Sequence, residues 1–296
     1  MVDLRYNFYD IFLILSNTTI AVFDSRLKGD NEMKLGVIGA GNMASAFIGG
    51  IVKKNIIPGN EIICSSPVEA ERQKAAVSFG VNVTEYNKEV VRTSEIVLLA
   101  VKPQVIPIVM DEIKDEIDEK RLFISIVAGK SIAWFEEAAG KSFKLVRTMP
   151  NTPALVGEGM TGVSPNPLVE QDDLEKALEL LSALGKTAVV PETMMDAVVA
   201  VSGSAPAYIF MMIEAMADGA VRLGMSRALA YKFAAQTVLG SAKMVLETGK
   251  HPGELKDMVC SPAGTTIEAV RVLEDMGFRS ALIEAMDACA EVSKKL

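Results

Sequence analysis

From residue 33 onward the chain alternates between short, continuous apolar runs and segments whose apolar residues recur every three or four positions. The first run, over residues 34–38, ends at Gly39 and Gly41, and Phe47, Ile48 and Ile51 follow at helical spacing. Further strands are predicted over 61–67, 81–83, 95–101, 122–127 and 144–147, with helices over 87–92 and 107–117 between them. The next elements are a helix over 172–184 and a last strand over 185–190. Continuous apolar runs mark strands buried on both faces, as in parallel sheets. The alternation predicts an α/β Rossmann-type, doubly wound parallel sheet over residues 33–191, with ligands beyond the carboxyl ends of its strands. Those ends fall at Gly39 to Gly41, Ser65 and Ser66, Ala100 to Pro103, Ala128 and Gly129, and Thr148 to Thr152, and are expected to converge on one crevice.

At residue 191 the texture changes. Residues 193–201, 207–223, 227–248 and 264 to the C-terminus read as helices, with breaks at 202–206, 224–226 and 249–252. This predicts an all-α second domain over 192–296. Several helices are apolar on more than one face, and Ala217, Gly219, Ala220 and Gly240 allow close approach, so a homodimer interface is expected here. Residues 1–32 read differently from the rest. Their apolar stretch over 8–23 is interrupted by Asp10 and Asn17. The expectation is a dispensable extension, with Met33 as the functional start; the rival is a weak membrane-associating segment.

Composition narrows the function. Half the chain is hydrophobic and the net charge is -8, with no Lys/Arg cluster, which argues against a nucleic-acid partner. Cys64, Cys260 and Cys289 are scattered in no metal-binding or disulfide pattern, which fits a reducing cytoplasm. His251 is the single histidine, so a Ser-His-Asp mechanism within one chain is a poor fit; it reads as loop structure.

The chemistry is expected at two places. Gly39, Gly41 and Ala44 form a Gly-x-Gly-x-x-Ala dinucleotide fingerprint on strand, turn and helix; Ile38, Asn42 and Met43 complete the turn. An NAD site wants a carboxylate at the end of the second strand. Ser65 and Ser66 stand there instead, with Arg72 nearby, which tilts the cofactor to NADPH, with NADH as the second option. The second place is the turn Pro262, Ala263 and Gly264, followed by Thr265 and Thr266 at a predicted helix start. Unpaired N–H groups and the helix dipole make this a seat for a carboxylate; a threonine there is equally an ordinary helix cap.

The segments Val37-Ile-Gly-Ala-Gly-Asn-Met43, Leu99-Ala-Val-Lys-Pro103, Val146-Arg-Thr-Met-Pro-Asn-Thr-Pro153, Val201-Ser-Gly-Ser-Ala-Pro-Ala207, Gly249-Lys-His-Pro252 and, most specifically, Ser261-Pro-Ala-Gly-Thr-Thr-Ile267 resemble the pyrroline-5-carboxylate reductase family over residues 33–296. The resemblance implies reduction of the cyclic imine Δ1-pyrroline-5-carboxylate to L-proline, the last step of proline biosynthesis, by a Rossmann domain followed by a helical dimerisation domain. It implies interlocked dimers, assembled in some members into decamers, and a substrate site between the nicotinamide crevice of one subunit and the threonine turn of its partner. Ser66 and Asn87 would take the adenosine side of NADPH; Ala100, Val101, Lys102, Pro103 and Ala128 the nicotinamide side. Gly264, Thr265 and Thr266 would cradle the substrate carboxylate, with Thr266 Oγ as the catalytic donor to the ring nitrogen. One departure is Ala263, where the family commonly has Gly. The rival readings are a reductase of six-membered cyclic imines and a non-catalytic NADP-binding regulator. A β-hydroxyacid dehydrogenase relative would need a lysine within 207–223, where the only charged residues are Glu214, Asp218 and Arg222.

Overall fold

The structure, a computed structural model, describes residues 33–295; the expectations for residues 1–32 lie outside them. Eight strands form one sheet in the order β3-β2-β1-β4-β5-β6-β7-β8. They are β1 (Met33–Ile38), β2 (Ile62–Ser65), β3 (Asn82–Thr84), β4 (Ser94–Leu99), β5 (Leu122–Ser125), β6 (Leu145–Met149), β7 (Gly159–Pro165) and β8 (Gly185–Val189). The helices among them are α1 (Asn42–Lys53), α2 (Glu69–Phe79), α3 (Asn87–Thr93), α4 (Ile106–Ile113), α5 (Ile132–Ala139) and α6 (Gln171–Leu181).

Alternation along each strand divides the core between two faces. Leu35, Val37, Leu98, Ile124 and Val146 pack with Phe47, Ile48 and Ile51 of α1 and Leu180 and Leu181 of α6. Ile38, Val97, Leu99, Phe123 and Leu145 pack on the other face with Val90, Met110, Ile113 and Phe135. Both faces are therefore covered, which is why the strands read as unbroken apolar runs. Each fully buried side chain of this size contributes about 1.5–3 kcal/mol.

One strand departs from the expected pattern. β7 pairs antiparallel with β6, while β7 and β8 are parallel, so the sheet is mixed rather than wholly parallel. No strand signal is carried by Gly159, Gly162 and Pro165, since Gly and Pro weaken a strand and read as breaks. Here the glycine is a packing residue. A Cβ on Gly162 would lie 2.7 Å from Val198 Cγ1, so only Gly lets the first helix of the C-terminal part reach the sheet.

That part contains α7 (Met195–Val198), α8 (Ala205–Arg222), α9 (Arg227–Thr248), α10 (Pro252–Val259), α11 (Thr265–Asp275) and α12 (Phe278–Ser293). The break expected at 202–206 is instead a π-helical turn, Val199–Gly203, leading into α8. Pro206 lies in the first turn of α8, where no N–H partner is needed. The run from 264 to the end is two helices, separated where Gly277 adopts φ 73°. Helix α10 was masked in the pattern by His251, Pro252 and Gly253; the His251 Nδ1 accepts from the Gly253 N–H and caps it.

Side chains tie the sheet to these helices. Glu192 Oε1 accepts from Arg147 Nη1 and from the Ile132 N–H, each at 2.8 Å. Asn151 Nδ2 donates to Ser202 O at 3.0 Å. Many apolar side chains on α8 and α9 remain exposed, including Phe210, Met211 and Phe233. The stretch Glu192–Arg222 is long and apolar enough to cross a membrane, yet only 6% of its most apolar window is buried within one chain.

Candidate active site

The strand order reverses between β1 and β4, and the crevice opens there. Ile38 is in register with Ser65 of β2 and with Leu99 of β4. The chain ends are stitched together beyond the strands: the Gly39 N–H donates to Ser65 O and the Ala100 N–H to Ile38 O, both at 2.9 Å. Gly39 has φ 106°, and a Cβ there would stand 2.6 Å from Ala100 O. No L side chain fits this close passage of two backbones.

Gly41 differs. It caps α1 with φ -70°, no side chain caps the helix, and a Cβ would meet nothing within 4 Å. Open space thus faces uncapped N–H groups at a helix N-terminus, the arrangement that receives a pyrophosphate. Gly41 and Asn42 are exposed, while Met43 is half-buried against the core. The residues present fit a dinucleotide.

At the adenosine end, Ser65 and Ser66 are buried. Ser65 Oγ donates to Asn87 Oδ1 at 2.7 Å, and Asn87 Nδ2 donates to Glu112 Oε2 at 2.8 Å. Ser66 Oγ donates to Glu71 Oε2 at 2.6 Å and accepts from the Val68 N–H at 3.2 Å. Arg72 Nη1 donates to Ser66 O at 2.6 Å. Burial, with the charge of Glu71 adding to it, pushes the neighbouring Cys64 thiol up to about 12. It is neutral at physiological pH and serves as packing.

At the nicotinamide end, Ala100, Val101, Lys102 and Pro103 follow β4, and the Lys102 carbonyl accepts from Val105 and Ile106 as α4 begins. The Lys102 side chain is exposed. The Ile126 N–H donates to Leu99 O at 3.1 Å and brings Ala128, beyond β5, to the same end of the sheet. Beside this end, the loop after β6 and the π-turn enclose an open groove of about 430 Å³. Asn151, Met160, Ser202, Pro206 and Phe210 are among its lining residues. Asn151 and Ser202 carry no role in the sequence reading beyond lying in motifs; only tertiary packing brings them together.

Thr265 and Thr266 lie elsewhere in the chain. They open α11, which packs on α12, and among the described residues no hydrogen bond joins them to the crevice. Helix α11 has no side-chain cap, so its first N–H groups stay available. Thr265 is exposed and Thr266 half-buried. The turn before them is tight: the Gly264 N–H donates to Ser261 O at 3.0 Å, and a Cβ on Gly264 would lie 2.4 Å from Ser261 Oγ.

Residues 192–296 match the family described as pyrroline-5-carboxylate reductase dimerisation, and residues 34–129 the family described as NADP oxidoreductase coenzyme F420-dependent. The chain is 51% identical to the pyrroline-5-carboxylate reductase of Escherichia coli over 90% of its length and 98% of that protein. Identity to the same enzyme of Methanosarcina acetivorans is 48% with equal coverage. The chain belongs to the pyrroline-5-carboxylate reductase family. The solved pyrroline-5-carboxylate reductase of Coxiella burnetii superposes with a TM-score of 0.85 at 36% identity, covering 90% of this chain and 98% of that one. The pyrroline carboxylate reductase of Plasmodium falciparum, solved with NADP bound, gives 0.80 at 34%, covering 90% and 99%.

A member of the pyrroline-5-carboxylate reductase family is an oxidoreductase with a nicotinamide cofactor and a small-molecule substrate. The match to a dimerisation domain spans α8 and α9, whose apolar faces are bare in one chain, and the chain forms homo-oligomers. The departure at Ala263 acquires a physical content here. Ala263 has φ 56°, a left-handed conformation that costs an L residue about 1 kcal/mol. Ala263→Gly is expected to raise the thermal midpoint by about 2 °C in a calorimetric scan. An unchanged or lower midpoint would mean that the turn carries no strain.

Proposed function

We propose that this chain reduces the C=N bond of Δ1-pyrroline-5-carboxylate with NADPH, giving L-proline, in the cytoplasm and as a homodimer. The carrying observation is one chain that holds both an open, uncapped Gly41 turn and an uncapped α11 N-terminus, within 51% identity to a pyrroline-5-carboxylate reductase. Ile38, Gly39, Gly41, Asn42 and Met43 hold the pyrophosphate. Ser65, Ser66 and Asn87 hold the adenosine. Ala100, Val101, Lys102, Pro103 and Ala128 orient the nicotinamide. When bound, the cofactor supplies the hydride.

The chain's own work is positioning. Gly264 keeps the turn tight enough for the N–H groups of Thr265 and Thr266 to converge on the substrate carboxylate. This fixes the ring at the nicotinamide end and converts an encounter into an oriented one, which supplies most of the rate. Thr266 Oγ–H donates a hydrogen bond to the ring nitrogen. A threonine hydroxyl is too weak an acid to protonate that nitrogen alone, so the proton arrives on the iminium or by way of water. The threonine turn of one subunit serves the crevice of its partner; the uncapped N-terminus of α11 supports its role as the carboxylate seat.

The test is NADPH oxidation at 340 nm with the five-membered imine beside its six-membered homologue and with NADH as alternative reductant. Faster turnover of the five-membered ring is expected. Preference for the six-membered ring would support the rival imine reductase, and binding of NADPH without turnover of either would support a non-catalytic regulator.

A further inference from the structure

The end of β2 lacks the acidic residue that reads a ribose 2′-hydroxyl, but the fold supplies one from elsewhere. Glu71, in the first turn of α2, turns back over the strand end and accepts the Ser66 hydroxyl at 2.6 Å. Ser66 is buried and Glu71 half-buried, so the contact is partly shielded from water. Its other hydroxyl contact, the Val68 N–H at 3.2 Å, already uses a lone pair. The hydroxyl has one proton, so it cannot donate to Glu71 and to a phosphate together. Beside it, the Arg72 guanidinium is held at Ser66 O at 2.6 Å. The strand end therefore presents a carboxylate and a guanidinium side by side.

We infer that Glu71 and Arg72 set the choice between NADH and NADPH in opposition to each other. Glu71 accepts a ribose 2′-hydroxyl, as an acidic residue at the strand end does in NAD sites. A 2′-phosphate has to take Ser66 away from Glu71 and stand beside a like charge, which Arg72 offsets. The chain accordingly accepts both cofactors and discriminates weakly. This rests on the dinucleotide reading above and deepens it, because a site with Ser65 and Ser66 alone would favour NADPH outright.

The test is direct titration of NADP+ and NAD+ by tryptophan fluorescence, with no imine present, on the full chain and on Glu71→Gln, Glu71→Ala and Arg72→Ala. The two Glu71 variants are expected to move the ratio of dissociation constants about tenfold toward NADP+, tightening NADP+ and weakening NAD+. Glu71→Gln still offers Ser66 an acceptor, and Glu71→Ala guards against an amide that mimics the carboxylate. Arg72→Ala is expected to weaken NADP+ far more than NAD+. If both constants move by one factor in the Glu71 variants, or neither moves, the proposal falls. Ratios that shift as stated in a chain that turns over no imine would sink the reaction proposed above and leave this inference standing.

Discussion

Gly41→Ala is expected to leave the fold intact and to weaken cofactor binding, whereas Gly39→Ala loses both. The two glycines share one motif, yet they meet opposite surroundings. A Cβ on Gly41 points into open space with φ at -70°, so alanine strains nothing and the thermal midpoint should hold. The methyl instead occupies the approach of the pyrophosphate to the α1 N–H groups. Losing one such charge-assisted contact costs about 2 kcal/mol, roughly thirtyfold in affinity. At Gly39 the Cβ would stand 2.6 Å from Ala100 O with φ at 106°, so backbone has to move. Strain of about 1–3 kcal/mol adds to a displaced β4 end, and the Ala100 to Pro103 turn shifts with it. Scanning calorimetry and NADP+ titration on both variants separate the two. Equal loss of stability in both would mean that Gly41 also has a packing role.

Thr266→Ala is expected to lower kcat roughly 100-fold while NADP+ affinity stays near that of the unaltered chain. Thr266, on α11, is assigned to the substrate and to none of the dinucleotide contacts, so its loss should spare cofactor binding. The hydroxyl contributes only where the ring nitrogen changes its bonding, and such an interaction appears in kcat more than in binding. Thr265→Ala keeps the backbone N–H groups and is expected to raise KM modestly. Single-turnover kinetics on both variants give the comparison. Full turnover by the Thr266 variant would remove its hydroxyl from the mechanism and leave the backbone of the turn as the whole contribution.

Much of the fold was legible because burial on both faces leaves a plain mark. β1, β4 and β5 read as apolar runs, and α9 reads as Arg227–Thr248 because a glycine stops it at Gly249. What escaped depended on tertiary contact. β7 is hidden by glycines whose value lies in the neighbour they admit, as Gly162 does for Val198. The π-turn Val199–Gly203 looks like a loop because its Gly and Ser are punctuation in most sequences. In the site, the Gly39 turn was visible from spacing alone. Glu71 was not, since five positions separate it from Ser65 at the end of β2 and only the turn into α2 folds it back onto Ser66. The threonine turn was visible in sequence, but the subunit whose crevice it serves is not a property of one chain's pattern.

The most direct test is the fate of the transferred hydride. With NADPH deuterated at the transferable position and Δ1-pyrroline-5-carboxylate, the chain is expected to yield L-proline carrying deuterium on the ring carbon that held the C=N bond, seen by mass spectrometry and located by NMR. Proline without deuterium, or cofactor oxidation without proline, would contradict imine reduction as the reaction of this protein.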